Sequence, residues 1–88
     1  QNYPNPFNPS TAIRFSVPQD AMVSLSVYDL LGRTVATLVD RPMMSGTYEQ
    51  TFHAGALASG TYLYALRITS PENGAVLHSS VRKMLLLK

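Results

Sequence analysis

Alternation of apolar and polar residues in short segments constrains this chain more than any other feature of its sequence. The strongest segment is residues 61–69, in which Tyr62, Leu66 and Ile68 share one face. Similar segments cover residues 11–17, 22–28, 33–39, 47–53 and 75–87, the last as one long strand or two joined by a bulge. A period of two is that of a half-buried strand. About seven such strands, with turn signals every eight to twelve residues or so, predict an all-β, antiparallel β-sandwich.

The composition suits a small folded domain and gives little support for nucleic-acid binding. The chain has 88 residues, of which 45% are hydrophobic and only 14% charged, so one domain with a real core is expected. The net charge of +2 comes from cations spread along the chain, whereas nucleic-acid surfaces usually need a clustered basic stripe. No cysteine is present, which excludes a disulfide framework, a thiolate metal site and a cysteine nucleophile together.

The first ten residues differ in character from the rest. Pro4, Pro6 and Pro9 fix their own φ angles and push the preceding residues towards extended geometry. We expect residues 1–10 to form an extended proline-rich lead-in, and residues 11–88 to form the sandwich. The opening has neither a basic start nor an apolar stretch, so it predicts no signal peptide and suggests the tail of a longer protein.

Residues that could carry catalysis are sparse and scattered. His53 and His78 have neither a second histidine at ligand spacing nor clustered carboxylates beside them, so no metal site is expected. No serine occupies a Gly-x-Ser-x-Gly elbow, and the glycines lack phosphate-loop spacing. We therefore expect no enzyme activity and no cofactor.

The tyrosines leave one alternative function open. Tyr48, Tyr62 and Tyr64 have the period-two spacing of core residues, but an exposed row of them could bind a glycan. Tyr28 falls on the face opposite the apolar residues of its segment, so partial exposure is expected there. A structural or glycan-binding accessory module of a larger extracellular enzyme is therefore the alternative to the interpretation given below.

The end of the chain is unusually apolar. Four apolar residues follow Arg82 and Lys83, and the sequence closes on Lys88. Termini are poorly ordered unless something ties them down, and most end in polar residues. This segment is expected to be buried in the fold or bound by a partner. Because its apolar residues fall on both faces of a strand, we expect one face to be available to a partner.

Four short segments together resemble a known family. In chain order they read YPNPFNP at residues 3–9, VYDLLGR at 27–33, LASGTY at 57–62 and KMLLLK at 83–88. The set resembles the C-terminal sorting domain of proteins exported by the bacterial type IX (Por) secretion system. The first two segments also resemble the immunoglobulin-like module of flagellar hook-capping proteins.

The resemblance implies an immunoglobulin-like sandwich that acts in export and not in catalysis. It implies a covalently attached N-terminal cargo, a periplasmic route, recognition by the outer-membrane translocon and, in many relatives, removal by a sortase at the cell surface. A strand-mediated homodimer is a further expectation, since unprotected strand edges pair readily. The resemblance places a second motif at Gly60 and Tyr62, for which a purely structural role is the alternative. The recognition motif that it implies is Lys83, Met84, Leu85, Leu86, Leu87 and Lys88.

Overall fold

The computed structural model describes residues 10–86, and all of the regular elements in that range are β-strands. Residues 1–9 of the lead-in expected at residues 1–10, and the last two residues, Leu87 and Lys88, lie outside the described range, whereas Ser10 begins the first strand. The strands are β1 (Ser10–Val17), β2 (Ala21–Tyr28), β3 (Thr34–Met43), β4 (Gly46–His53), β5 (Gly60–Thr69) and β6 (Val76–Leu86).

The strands form two antiparallel sheets. One sheet has four strands in the order β3-β2-β5-β6, and the other pairs β1 with β4. The chain therefore crosses between the sheets before β2, before β4 and before β5, as Greek-key sandwiches do. The prediction of an all-β antiparallel sandwich is confirmed, with six strands in the described residues where about seven were expected.

The core lies between the two sheets and consists of the residues that the alternation placed inward. Val23, Leu25 and Val27 of the central strand β2 have no exposed surface, and burying each such side chain contributes about 1.5–3 kcal/mol. In the two-stranded sheet, Phe15 on β1 is level with Tyr48 on β4, and their rings stack with centroids 5.7 Å apart. The inward faces of β1, β2 and β5 could thus be predicted from a period of two.

Tyr62, near the start of β5, anchors the connection between β4 and β5 to the core. The Tyr62 ring is buried, and its hydroxyl donates a 2.7 Å hydrogen bond to the carbonyl oxygen of Ala58. A tyrosine near this corner of a Greek key that bonds backbone a few residues upstream is a hallmark of immunoglobulin-like sandwiches. The contact therefore supports the immunoglobulin-like form of the fold.

One local expectation was wrong. The sequence predicts the end of the third strand at residues 40–42, but β3 continues through Pro42 to Met43. Proline is tolerated there because β3 is an edge strand, where a missing N–H need not break a central ladder. Residues 54–59 connect β4 to β5, and a hydrogen bond of 3.0 Å from Leu57 N to Ala54 O closes a turn there.

The sandwich is open along one side. A cleft of about 560 Å³ lies between β1 and β6, floored by apolar side chains such as Phe15 and Tyr64. Its rim is polar and includes Arg14 on β1 and Arg82 on β6. The smaller sheet therefore leaves the first part of β6 uncovered, and the residues there are largely exposed.

Candidate functional site

The last described strand, β6, stands at an edge of the four-stranded sheet. It pairs with β5 on one side, and no strand of residues 10–86 pairs with its other side. Natural sheets usually protect such an edge with a short strand, proline or covering structure, because its free N–H and C=O groups can pair with another chain. Strand β6 has 11 residues and no proline, its one register shift lies near its start opposite Ile68 and Thr69, and its charged residues are Arg82 and Lys83. The regular part of this edge, residues 78–86, is therefore open to pairing with another chain.

The recognition motif divides into inward and outward residues along this strand. Met84 and Leu86 are each only 5% exposed, and both line a small apolar cavity with Phe52 and Ala54. Leu85 lies between them in sequence and is 53% exposed. The sequence predicts that this apolar segment is either buried or free to bind a partner. In the described residues, Met84 and Leu86 are buried, and Leu85 is exposed and free to bind.

Lys83 belongs to the outward group. Its partner across the ladder is Leu63, on the opposite face of β5 from the buried Tyr62. Lys83 is exposed, so its ammonium group is accessible beside Leu85. Leu87 and Lys88 fall outside the described residues, which leaves their part in the motif as a prediction.

The second motif lies directly against the first. Gly60 pairs with Leu86, and Tyr62 pairs with Met84, at the start of β5. Gly60 has a φ of +153°, a conformation that residues with a Cβ rarely adopt. Tyr62 fills the core and bonds to Ala58. Both residues thus have structural contacts that hold the neighbouring end of β6 in place.

The turn between β2 and β3 presents two leucines to solvent. Leu30 and Leu31 are 66% and 79% exposed. The turn is closed by backbone bonds of 3.0 Å from Gly32 N to Asp29 O and from Asp29 N to Arg33 O. The sequence signal for these exposed leucines is their position in a turn, where polar residues are usual.

The carboxylate of Asp29 organises this turn. One oxygen accepts hydrogen bonds from Leu31 N at 2.9 Å and Arg33 N at 3.0 Å, and the other accepts from Arg33 Nε at 2.8 Å. The hydrogen bond from the Arg33 backbone is the main cause that lowers the pKa of the carboxyl from its ordinary value; desolvation opposes it, and the hydrogen bonds from the Arg33 side chain and Leu31 N lower the pKa further. The turn is therefore locally ordered although it is exposed.

The remaining surface gives little support for chemistry or for a glycan platform. No group of three or more metal-binding side chains occurs within residues 10–86, and no helix in that range could span a membrane. Tyr62 is buried, while Tyr48 and Tyr64 pack against the core. Tyr28 is half-buried on the outer face of β2, as expected. These tyrosines therefore do not form the exposed row that sugar binding would need.

One family model matches the chain over residues 1–77, and its description is "secretion system C-terminal sorting domain". The chain belongs to this sorting-domain family. No curated protein and no solved structure matches it with significance. The prediction made from the four segments is confirmed at the level of family and general function: the domain is a sorting signal of the type IX secretion system.

The family assignment also fixes some coarser properties. The family is one of sorting signals and not of enzymes, and it implies that the domain is the tail of a cargo protein. It further implies that this cargo is delivered to the cell surface or beyond it. The match covers β1 to β5 but reaches only the first two residues of β6, Val76 and Leu77. It therefore does not assign a role to the recognition motif at residues 83–88.

Proposed function

We propose that the type IX machinery reads this sorting domain through the free edge of β6 and the outward side chains of its last part. The observation that carries the proposal is the position of β6 at an open sheet edge, with Leu85 exposed between two buried apolar residues. The burial of Met84 and Leu86 fixes which side chains a partner can reach without unfolding the domain. Those side chains are Lys83 and Leu85.

Strand addition is the mode of binding that fits such an edge. In strand addition the main-chain hydrogen bonds of an edge give affinity, and the alternate side chains give specificity. The ladder with β5 fixes the register of β6 from Val76 to Leu86. A partner strand that adds to the other edge would therefore meet Lys83 and Leu85 at defined positions, with Lys88 expected to close the motif.

The partners that we propose for this strand are the outer-membrane translocon and then the sortase. The cargo precedes the domain in the chain and reaches the translocon from the periplasm of a Gram-negative bacterium. In this scheme the sortase removes the domain after passage, and the cargo stays on the surface or is released. We also propose that two copies of the isolated domain pair through the β6 edge when the translocon is absent, which sedimentation equilibrium would detect as a dimer.

The proposal predicts that Leu85→Asp strongly reduces export. A periplasmically directed reporter carrying residues 1–88 is expressed in a host with the type IX machinery, and reporter in the medium and on the surface is quantified. Export is expected to fall about tenfold or more, as for loss of an interface anchor worth about 1.4 kcal/mol or more. The matched control is Val76→Asp at the other end of β6, since Val76 is 52% exposed and Leu85 is 53% exposed. The control is expected to export normally.

A truncation tests the same proposal with little damage to the core. Removal of Leu87 and Lys88 is expected to abolish export, whereas Leu86 is kept because it is buried and paired with Gly60. Thermal unfolding of each purified variant confirms that the sandwich persists. Normal export of both the truncated chain and Leu85→Asp would show that the last strand is not what the machinery reads.

A further inference from the structure

The strand register places apolar residues of the β2–β3 turn, β5 and β6 towards the same end of the four-stranded sheet, the end where β6 finishes. Tyr28 is level with Leu63 on β5, and Leu63 is level with Lys83 on β6. The turn with Leu30 and Leu31 follows Tyr28 directly, so it begins about where the last residues of β6 lie. Neighbouring strands lie about 4.8 Å apart, so β2 and β6, which flank β5, are separated by about 10 Å.

The face of the sheet turned away from the core continues this apolar character. Leu85 pairs with Thr61 and Val81 pairs with Ala65, all on the outer face of β5 and β6. Val81 is 63% exposed and Leu85 is 53% exposed. Single exposed apolar residues are normal, but a cluster rimmed by polar groups marks an interaction site. We name the set Leu30, Leu31, Leu63, Val81 and Leu85 the outer apolar surface.

Two features suggest that the outer apolar surface is built for contact. The three hydrogen bonds to the Asp29 carboxylate order the turn that carries Leu30 and Leu31, so little conformational entropy would be lost on binding. The surface also adjoins the last residues of β6, so a partner at that edge would lie beside it. A hairpin tip that served only to reverse the chain would need neither leucine.

The charges around the surface indicate what kind of partner fits. Lys83 lies beside Leu63 and Leu85, and Arg67 lies further along the outer face of β5, opposite Ser79. The described strands β5 and β6 carry no acidic residue, and Asp29 in the turn is paired with Arg33 at 2.8 Å. A second copy that covered this surface with its own outer apolar surface, and did not pair through the β6 edge, would bring like charges together, which is unfavourable. The complement is an apolar protein surface with an acidic rim.

We propose that the outer apolar surface is a second docking site for the protein of the export machinery that binds the β6 edge. This inference rests on the proposed function and extends it, because it assigns part of the signal to residues far from the chain's end in sequence. The partner is a protein that adds a strand to β6 and covers Leu30 and Leu31 with an apolar patch. Its acidic rim faces Lys83 and Arg67.

The experiment uses the same reporter with residues 1–88 and the double variant Leu30→Ser/Leu31→Ser. Both side chains are largely exposed, so the thermal unfolding midpoint is expected to stay within a few degrees of the parent value. Export is expected to fall about tenfold. Val81→Ser provides an independent variant on β6, with a smaller reduction expected. The matched control is Met44→Ser, since Met44 is 71% exposed at the opposite end of the sheet, and normal export is expected.

The outcomes separate this inference from the proposed function. Normal export of the double variant, with export lost on Leu85→Asp, overturns the second docking site and leaves strand recognition standing. Strand recognition would instead be refuted if Leu85→Asp and the truncated chain were both exported as well as the parent domain. Two further results would also overturn the inference. A change in sedimentation mass caused by the double substitution would show that the surface binds a second copy of the domain. Binding of the parent domain to anionic vesicles, lost on the double substitution, would show that the surface binds a membrane.

Discussion

At the residue scale, the predicted second motif, Gly60 and Tyr62, has structural contacts that account for both residues without a partner. Gly60 and Tyr62 lie beside Leu86 and Met84 in the ladder, and both have local structural contacts. Gly60 supplies a backbone conformation and Tyr62 supplies packing and a hydrogen bond at the sheet corner. We interpret them as residues that position the end of β6 and not as part of its readout.

Replacement of Gly60 by alanine is expected to lower stability because of backbone strain. An alanine Cβ at this position would meet no atom within 4 Å, so the φ of +153° and not a clash is the cause. The free energy of unfolding, measured with urea, is expected to fall by about 1–3 kcal/mol. Gly55→Ala is the matched control, because Gly55 also has open space and needs no positive φ. An equal effect of the two substitutions would contradict the argument.

At the element scale, the sequence predicted strands and faces well but not their neighbours. The alternation of apolar and polar residues predicts the buried residues of β1, β2 and β5, because alternate side chains of a strand face the core whichever strand lies beside it. It could not identify β3 and β6 as edges, since pairing order depends on the whole chain. For the same reason the sequence predicts a strand end near Pro42, which the structure does not show. The exposure of Leu30 and Leu31 could not be predicted either, because hairpin composition does not show what covers a turn.

The β2–β3 turn is expected to contribute pH-dependent stability through Asp29. Its folded-state pKa is lowered, mainly by the Arg33 backbone hydrogen bond, so the carboxylate stabilises the fold above its unfolded pKa of about 3.9. That contribution is lost as the pH falls through the lower folded-state value. Asp29→Asn keeps one acceptor oxygen but loses the charge. The melting temperature of Asp29→Asn should therefore lie below the parent's at pH 7 and converge with it near pH 2. A difference of the same size at both pH values would show that the charge is not involved.

At the scale of the whole molecule, the sandwich combines a well-covered centre with an open side. Strands β2 and β5 are central and paired on both sides. Strand β6 is an edge strand, and it also lines the cleft of about 560 Å³. The last part of β6 is tied to the core by Met84 and Leu86, while the first part is exposed on both faces. A domain built this way can present a strand to a partner and keep its own core intact.

Amide hydrogen exchange is expected to distinguish the covered centre of the sandwich from its open side. The same measurement tests the proposed dimer through the β6 edge. At low micromolar concentration, amides of β2 and β5 should exchange through global unfolding, and those of β6 faster through local opening, because β6 has a ladder on one side only. At millimolar concentration a dimer through the β6 edge should slow the exchange of β6 amides selectively. Leu85→Asp, which places charges at the edge, is expected to remove this concentration dependence while leaving β2 and β5 unchanged. Slow exchange of β6 at low concentration, equal to that of β5, would mean that the edge is not open and would count against both the dimer and strand recognition.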